Sequence, residues 1–126
     1  MSDQNLTNSE WYVLDQLWEH TPMTVMQLVA ALKDSVSWAK STTITTINRM
    51  EAKGLLKVEV VGRTKQYYPT VERQDAARQE TRSFLDKVYH GSVGMMMSAM
   101  TDGQTLTKDE IDELYAILRQ AEEGSK

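Results

Sequence analysis

A run of small hydroxyl residues, Ser41-Thr42-Thr43, is followed by Ile44, Thr45, Asn48 and Arg49. Basic residues flank it, with Lys40 in front and Lys53 behind, and Arg63 and Lys65 lie further along the chain. At the start of a helix, short hydroxyl side chains let the backbone approach phosphate and base edges closely. Arginine and lysine neutralise phosphates, which gives affinity and register without reading sequence. The chemistry on offer is therefore contact with double-stranded DNA rather than the making of bonds. Two blander readings compete with it. Threonines at a helix start also serve as caps, and surface bases also serve solubility.

The whole chain, 126 residues with a formal net charge of −4, looks wrong for a nucleic-acid binder. The distribution of charge changes that. Between Val36 and Thr70 six bases face two acids, a local balance of +4, whereas from Val71 onward seven bases face eleven acids. Local potential, not whole-chain charge, steers a polyanion. Hydrophobic residues are 40% and charged residues 25%, ordinary for a globular protein of one domain plus a small appendage. No apolar run approaches the roughly 20 residues needed to cross a bilayer, so no membrane partner is expected. The polar start Met1-Ser2-Asp3-Gln4-Asn5 has no signal-peptide pattern, and a cytoplasmic protein is expected. Cysteine is absent and histidine occurs only as His20 and His90, which leaves no thiolate chemistry and no histidine-rich metal site.

The elements that must position these residues are legible from caps and periodicity. Thr7-Asn8-Ser9-Glu10, Thr24-Val25-Met26-Gln27 and Thr107-Lys108-Asp109-Glu110 each carry the Thr-x-x-Glu/Gln pattern of a capping box. They predict helices over about Asn8–His20, Val25–Asp34 and Lys108–Glu122. Thr21-Pro22 ends the first of these. Ser41–Lys53 reads as a helix closed by Gly54. The period then changes to the alternation Leu56-Lys57-Val58-Glu59-Val60, followed by the turn Val61-Gly62-Arg63-Thr64 and a second strand, Lys65–Pro69. This is a β-hairpin with Arg63 and Lys65 at its tip. Arg73–Tyr89 reads as a long amphipathic helix, interrupted by Gly91 and Gly94, and Val93–Met100 is a short methionine-rich apolar segment.

The fold class is mainly α with a small β-hairpin wing. A winged helix-turn-helix over residues 1–71 is followed by a helical dimerisation region over residues 72–126. In such an arrangement the third helix enters the major groove and the hairpin tip touches phosphate nearby. The expected DNA-contacting residues are Lys40, Ser41, Thr42, Thr45, Asn48, Arg49, Lys53, Arg63 and Lys65. The expected dimerisation residues are Phe84, Leu85, Val88, Val93, Met96, Met97, Met100, Ile111, Leu114 and Leu118.

A set of local sequences then points to a family. Asn8-Ser9-Glu10-Trp11, Leu17-Trp18, the stretch from Trp38 to Met50, Lys53-Gly54-Leu55, Gly62-Arg63 and Tyr67-Tyr68-Pro69 together resemble the penicillinase-repressor family, which also holds the CopY-type copper repressors. Glu80–Leu85 and Gly91-Ser92-Val93 are similar to its dimerisation region, and the likeness runs from about Leu6 to Leu118. The resemblance implies a homodimer whose two winged helices bind the halves of a palindromic operator and block transcription. It implies Ser41–Lys53 as the recognition helix, Arg63 at the wing, and an upstream sensor or protease as a further partner. Spacing alone would bury Ile44 with Ile47. The family register instead buries Thr43, Thr46, Ile47 and Met50 and turns Ile44 toward DNA, and that register is adopted here.

The sequence departs from the family's pattern at three points. Ala39-Lys40 replaces the usual Ser-Pro after the tryptophan, so the recognition helix is capped by Ser41 or by no side chain. Members that respond to β-lactams are cut at an Asn-Phe bond, and the corresponding pair here is Ala99-Met100, which argues against that route. CopY-type members carry Cys-x-Cys pairs, absent here. Met95, Met96, Met97 and Met100 could be offered as soft ligands for copper(I), but without thiolate or histidine beside them an apolar interface is the better account.

An enzyme is not expected, because there is no glycine-rich phosphate loop and no Ser/His/Asp set in a nucleophile's context. No cofactor or metal is expected. The acids Asp109, Glu110, Asp112 and Glu113 suit the positive end of a helix dipole. The rival function is a winged-helix protein-interaction module without sequence-specific DNA binding. The basic wing, Arg63 with Lys65, favours DNA.

Overall fold

The computed structural model describes residues 6–104 and 106–124. Helix α1 (Asn8–His20), α2 (Val25–Val36) and α3 (Lys40–Ala52) lead into strands β1 (Leu56–Val61) and β2 (Thr64–Pro69). Helices α4 (Arg73–Tyr89), α5 (Val93–Thr101) and α6 (Lys108–Gly124) follow, with a short 3-10 turn, Asp102–Gln104, after α5. The chain divides into two compact units, Met1–Thr81 and Arg82–Lys126.

The first unit is a winged helix, built as its caps dictate. At Thr7 the hydroxyl accepts the Glu10 N–H (3.2 Å) and the Glu10 carboxylate accepts the Thr7 N–H (2.9 Å). Thr24 and Gln27 repeat the exchange at 3.2 and 2.9 Å. Helix α2 ends in a left-handed residue, Ser37, after which the Trp38 N–H donates to the Leu32 carbonyl at 3.2 Å. Helix α3 ends through Gly54, whose φ of +82° is cheap only for glycine. The Leu55 N–H then returns to the Met50 carbonyl at 2.9 Å, which turns the chain straight into β1.

Strands β1 and β2 pair antiparallel from Leu56↔Pro69 to Val61↔Thr64. Gly62 and Arg63 therefore make a two-residue turn, with Gly62 at φ +65° as such a turn requires. Only the base of the hairpin is buried. Leu56 and Tyr67 join the core, while Val60 and Val61 near the tip stand exposed. The core also takes Val13, Leu14 and Leu17 from α1, Met23, Leu28 and Leu32 from the second segment, and Ile47 and Met50 from α3. One connection had no sequence signal. Met23 bridges the free edge of β2, donating its N–H to the Tyr67 carbonyl (3.3 Å) and accepting the Tyr67 N–H (2.8 Å).

This unit includes the start of α4, which lies against α1 with Ala76 buried. The second unit holds the rest of α4 with α5 and α6. The Thr107–Glu110 capping box starts α6, with bonds of 2.8 and 3.1 Å, and Ser92 caps α5 by accepting the Met95 N–H at 3.1 Å. The methionine-rich segment is thus a helix, and Gly94 lies inside it rather than breaking it. Helix α4 stops at His90 and Gly91, both left-handed. Neither α5 nor α6 buries a single residue within the chain. No helix among the described residues is long and apolar enough to cross a membrane.

Candidate nucleic-acid interface

Helix α3 has two faces, and its chemistry follows from which is packed. Thr43, Thr46, Ile47 and Met50 are buried. Ser41, Thr42, Thr45, Asn48 and Arg49 are exposed and Ile44 is half-buried. This is the family register, and the burial of Ile44 suggested by spacing alone is corrected. Two threonines in the core need partners for their hydroxyls. Thr46 donates to the Thr42 carbonyl one turn back, at 2.8 Å. The Thr43 hydroxyl, also fully buried, has no hydrogen-bond partner among the described residues.

The helix opens without a side-chain cap. Its N-cap is Ala39, which offers no side-chain oxygen to the first turn, and Ser41 lies one residue inside the helix. Of the two outcomes left open by the Ala39-Lys40 departure, the cap is lost. The first-turn amides at Lys40, Ser41 and Thr42 precede the first intrahelical bond, from the Thr43 N–H to the Ala39 carbonyl. Uncapped amides, exposed hydroxyls and the positive end of the helix dipole together suit an approaching phosphate. Beside this end stand two aromatics. Tyr12 meets Trp38 edge to face, with ring centroids 5.9 Å apart. Separated by 26 positions on different elements, they gave no spacing signal that would have placed them together.

The bases divide into two kinds. Lys40, Arg49, Arg63 and Lys65 are exposed and form no ion pair among the described residues. Arg63 occupies the wing turn itself, and Lys65 lies one pair down, opposite Val60. Lys53 is different. Its ammonium donates to Glu10, whose side chain is only 3% exposed, at 2.5 Å. Burial pushes the Glu10 carboxyl up, but the hydrogen bonds from Lys53 and Thr7 and the charge of Lys53 outweigh it, so the group sits below its ordinary value. Lys53, expected among the DNA contacts, thus already carries a structural ion pair at the end of α3.

The acidic start of α6 is accounted for by local structure. Glu110 belongs to the capping box, and Asp112 pairs with Lys108 at 3.1 Å. Among the expected dimerisation residues, Phe84, Val88, Val93, Met100, Ile111 and Leu118 are exposed within the chain, and Leu85, Met96, Met97 and Leu114 are half-buried. The Ala99-Met100 pair lies near the end of α5, both residues exposed.

A packed helix-turn-helix, a hydroxyl-rich third helix and a basic wing define a winged-helix DNA-binding regulator. The chain belongs to the penicillinase repressor family, whose sequence pattern matches residues 6–120. That is a family of transcriptional repressors, not of enzymes. The chain is similar to the penicillinase repressor of Bacillus licheniformis, at 26% identity over 96% of this chain and 94% of that one. It is equally similar to the methicillin resistance regulatory protein MecI of Staphylococcus aureus (strain N315), at 26% identity over 90% of this chain and 92% of that one. The solution structure of the DNA-binding domain of the repressor BlaI superposes with a TM-score of 0.51 at 24% identity, covering 56% of this chain and 85% of that one. That likeness is one of fold.

Proposed function

We propose that the protein represses transcription as a homodimer that places two α3 helices in successive major-groove faces of a palindromic operator. The observation that carries this reading is the split of α3 into a packed stripe and an exposed hydroxyl stripe. Ser41, Thr42, Ile44, Thr45 and Asn48 read base edges, Ile44 through thymine methyl groups. Lys40 and Arg49 on α3, and Arg63 and Lys65 on the wing, hold phosphates and set register. Lys53 contributes through the α3 geometry that its bond to Glu10 maintains. Winged helix over residues 1–71 and dimerisation region over residues 72–126 is the division of labour that suits this mechanism.

The homodimer is supported by α5 and α6, which leave no residue fully buried within one chain and expose Val93, Met100, Ile111 and Leu118. Exposed apolar residues of that kind suit a partner surface, and a two-fold copy of the same surface is the commonest solution. Half-sites then lie about one helical turn apart or a multiple of it, roughly 10 base pairs per turn.

The test is iterative selection of the purified protein on randomised duplex DNA at two salt concentrations. Enrichment of a palindrome supports the reading. Weak binding that is blind to sequence and falls steeply with salt overturns it, and would make the winged helix a docking module for protein.

A further inference from the structure

The start of α4 is held to α1 by a cluster of side chains. The Trp18 indole N–H donates to the Val71 carbonyl oxygen at 3.0 Å. The Arg73 guanidinium lies over the Trp18 ring, 5.7 Å from its centroid, and its Nη2 is 3.8 Å from Asp15 Oδ1. Trp11 meets Trp18 edge to face, with centroids 5.4 Å apart. Val71 packs against the winged-helix core, and Ala76, one turn into α4, is buried. Trp11, Asp15 and Trp18 follow one another at helical spacing, so one stripe of α1 receives the beginning of α4.

A repressor that reads two half-sites must hold two reading helices at a fixed separation. Each base pair added between the half-sites moves them by about 3.4 Å and rotates one against the other by about 35° around the duplex. Tolerance for a changed spacing therefore depends on how stiffly each winged helix is fixed to the helix leading out of it. That helix is α4, and the Trp18–Val71–Arg73 cluster is its attachment.

We infer that Trp18 and Arg73 are positioning residues that restrict the operator to one half-site separation, by fixing the direction in which α4 leaves the winged helix. The inference rests on the dimeric reading above. Its chemistry is that of a clasp rather than of a core. The Arg73–Asp15 pair alone is exposed and weak. The guanidinium over the indole adds a cation–π contact, and the indole N–H fixes that ring against the backbone at Val71. Breaking one of these contacts loosens α4 while the cluster of Leu14, Leu17, Leu28 and Ile47 stays packed.

The experiment uses the full chain and the palindrome obtained by selection. Binding is measured to duplexes with the selected separation, to duplexes with one or two base pairs added or removed, and to a duplex carrying a single half-site. The proteins are wild type, Arg73→Gln, Arg73→Lys and Trp18→Phe. Arg73 is largely exposed, so its variants report even where the tryptophan variant folds poorly. The wild type is expected to lose about tenfold in affinity when two base pairs are inserted, and Arg73→Gln and Trp18→Phe about threefold or less. Single-half-site affinity stays within about twofold of wild type in every variant, and Arg73→Lys lies between wild type and Arg73→Gln. Spacing profiles in Arg73→Gln that match wild type overturn the inference. So does a parallel fall in single-half-site affinity, which would make the cluster part of the reading unit. A wild type that binds single half-sites but selects no palindrome overturns the dimeric reading itself, an outcome distinct from unchanged profiles in the variants.

Discussion

Lys53, the C-cap residue of α3, is bonded to the buried carboxylate of Glu10 in the first turn of α1. One carboxylate therefore does two jobs, closing its own capping box with Thr7 and anchoring the far end of α3. The position of α3 on the scaffold depends on a charge that faces the protein rather than DNA.

Replacing Lys53 by methionine should destabilise the fold at neutral pH. It leaves a buried carboxylate with only its Thr7 bonds, at a cost of roughly 1–3 kcal/mol after allowing for the partial exposure of the lysine. The pH dependence has a definite sign. Because the Glu10 carboxyl is lowered in the folded protein, its contribution is fully present above the ordinary carboxylate range and is lost as pH falls through the lowered value. In Lys53→Met the same carboxyl is governed by burial and takes up a proton readily, so the gap to wild type narrows in acid. Thermal melts from pH 7 to pH 3 measure this, and a gap that stays constant across the range would show that the pair contributes nothing through charge.

Variants of the β-hairpin and of α3 should fail in different ways if both contact DNA as proposed. Arg63→Ala is expected to weaken binding on every duplex and to reduce the slope of log affinity against log salt by about 0.9, one phosphate's worth. Thr45→Ala and Ile44→Ala should instead shift sequence preference, by about 1–3 kcal/mol at the affected base pair. Titrations at several salt concentrations, on the selected site and on its single-base variants, separate the two. An unchanged salt slope in Arg63→Ala would remove the wing from the interface.

The two buried threonines of α3 make opposite predictions for the same substitution. Thr43→Val removes a desolvated hydroxyl with no partner among the described residues and keeps the side chain's shape, so stability should rise by about 1 kcal/mol. Thr46→Val removes a bond to the Thr42 carbonyl and should be neutral or cost up to about 1 kcal/mol. Denaturant titrations of both variants provide the comparison. Equal effects at the two sites would mean that the Thr43 hydroxyl is hydrogen-bonded in solution.

Leu118, 62% exposed on α6, is a sensitive probe of the proposed homodimer. Leu118→Glu sets two like charges near a two-fold seam and should convert a micromolar dimer to monomer, at no cost to the monomer's own packing. Sedimentation velocity of the two proteins decides it. A wild type that sediments as monomer at micromolar concentration would refute the dimer, and a dimeric variant would place the seam elsewhere.

The sequence by itself determined what is local. Each capping box lies within four residues, so Thr7, Thr24 and Thr107 announced the starts of α1, α2 and α6 at the residues where they occur. The change from helical period to alternation at Leu56, and the glycine at position 62, announced the hairpin and its tip. Arg73 to Tyr89 was likewise legible from its apolar spacing. These signals are strong because the energies behind them, a cap hydrogen bond or a turn that needs positive φ, involve neighbours in the chain.

Tertiary packing decided the rest. The hydrophobic pattern of α3 is ambiguous, since Ile44 and Ile47 could share a face. The packing of α3 against α1, α2 and β1 chose the register that buries Thr43, Thr46 and Met50 and leaves Ile44 only half-buried. Glu10 and Lys53 are 43 positions apart, and Trp18 and Val71 are 53 apart. Neither pairing has a period to betray it. Such contacts form only once burial of the shared core has brought distant segments together, which is why a lysine that reads as a phosphate ligand in the sequence is bonded to a buried carboxylate in the fold.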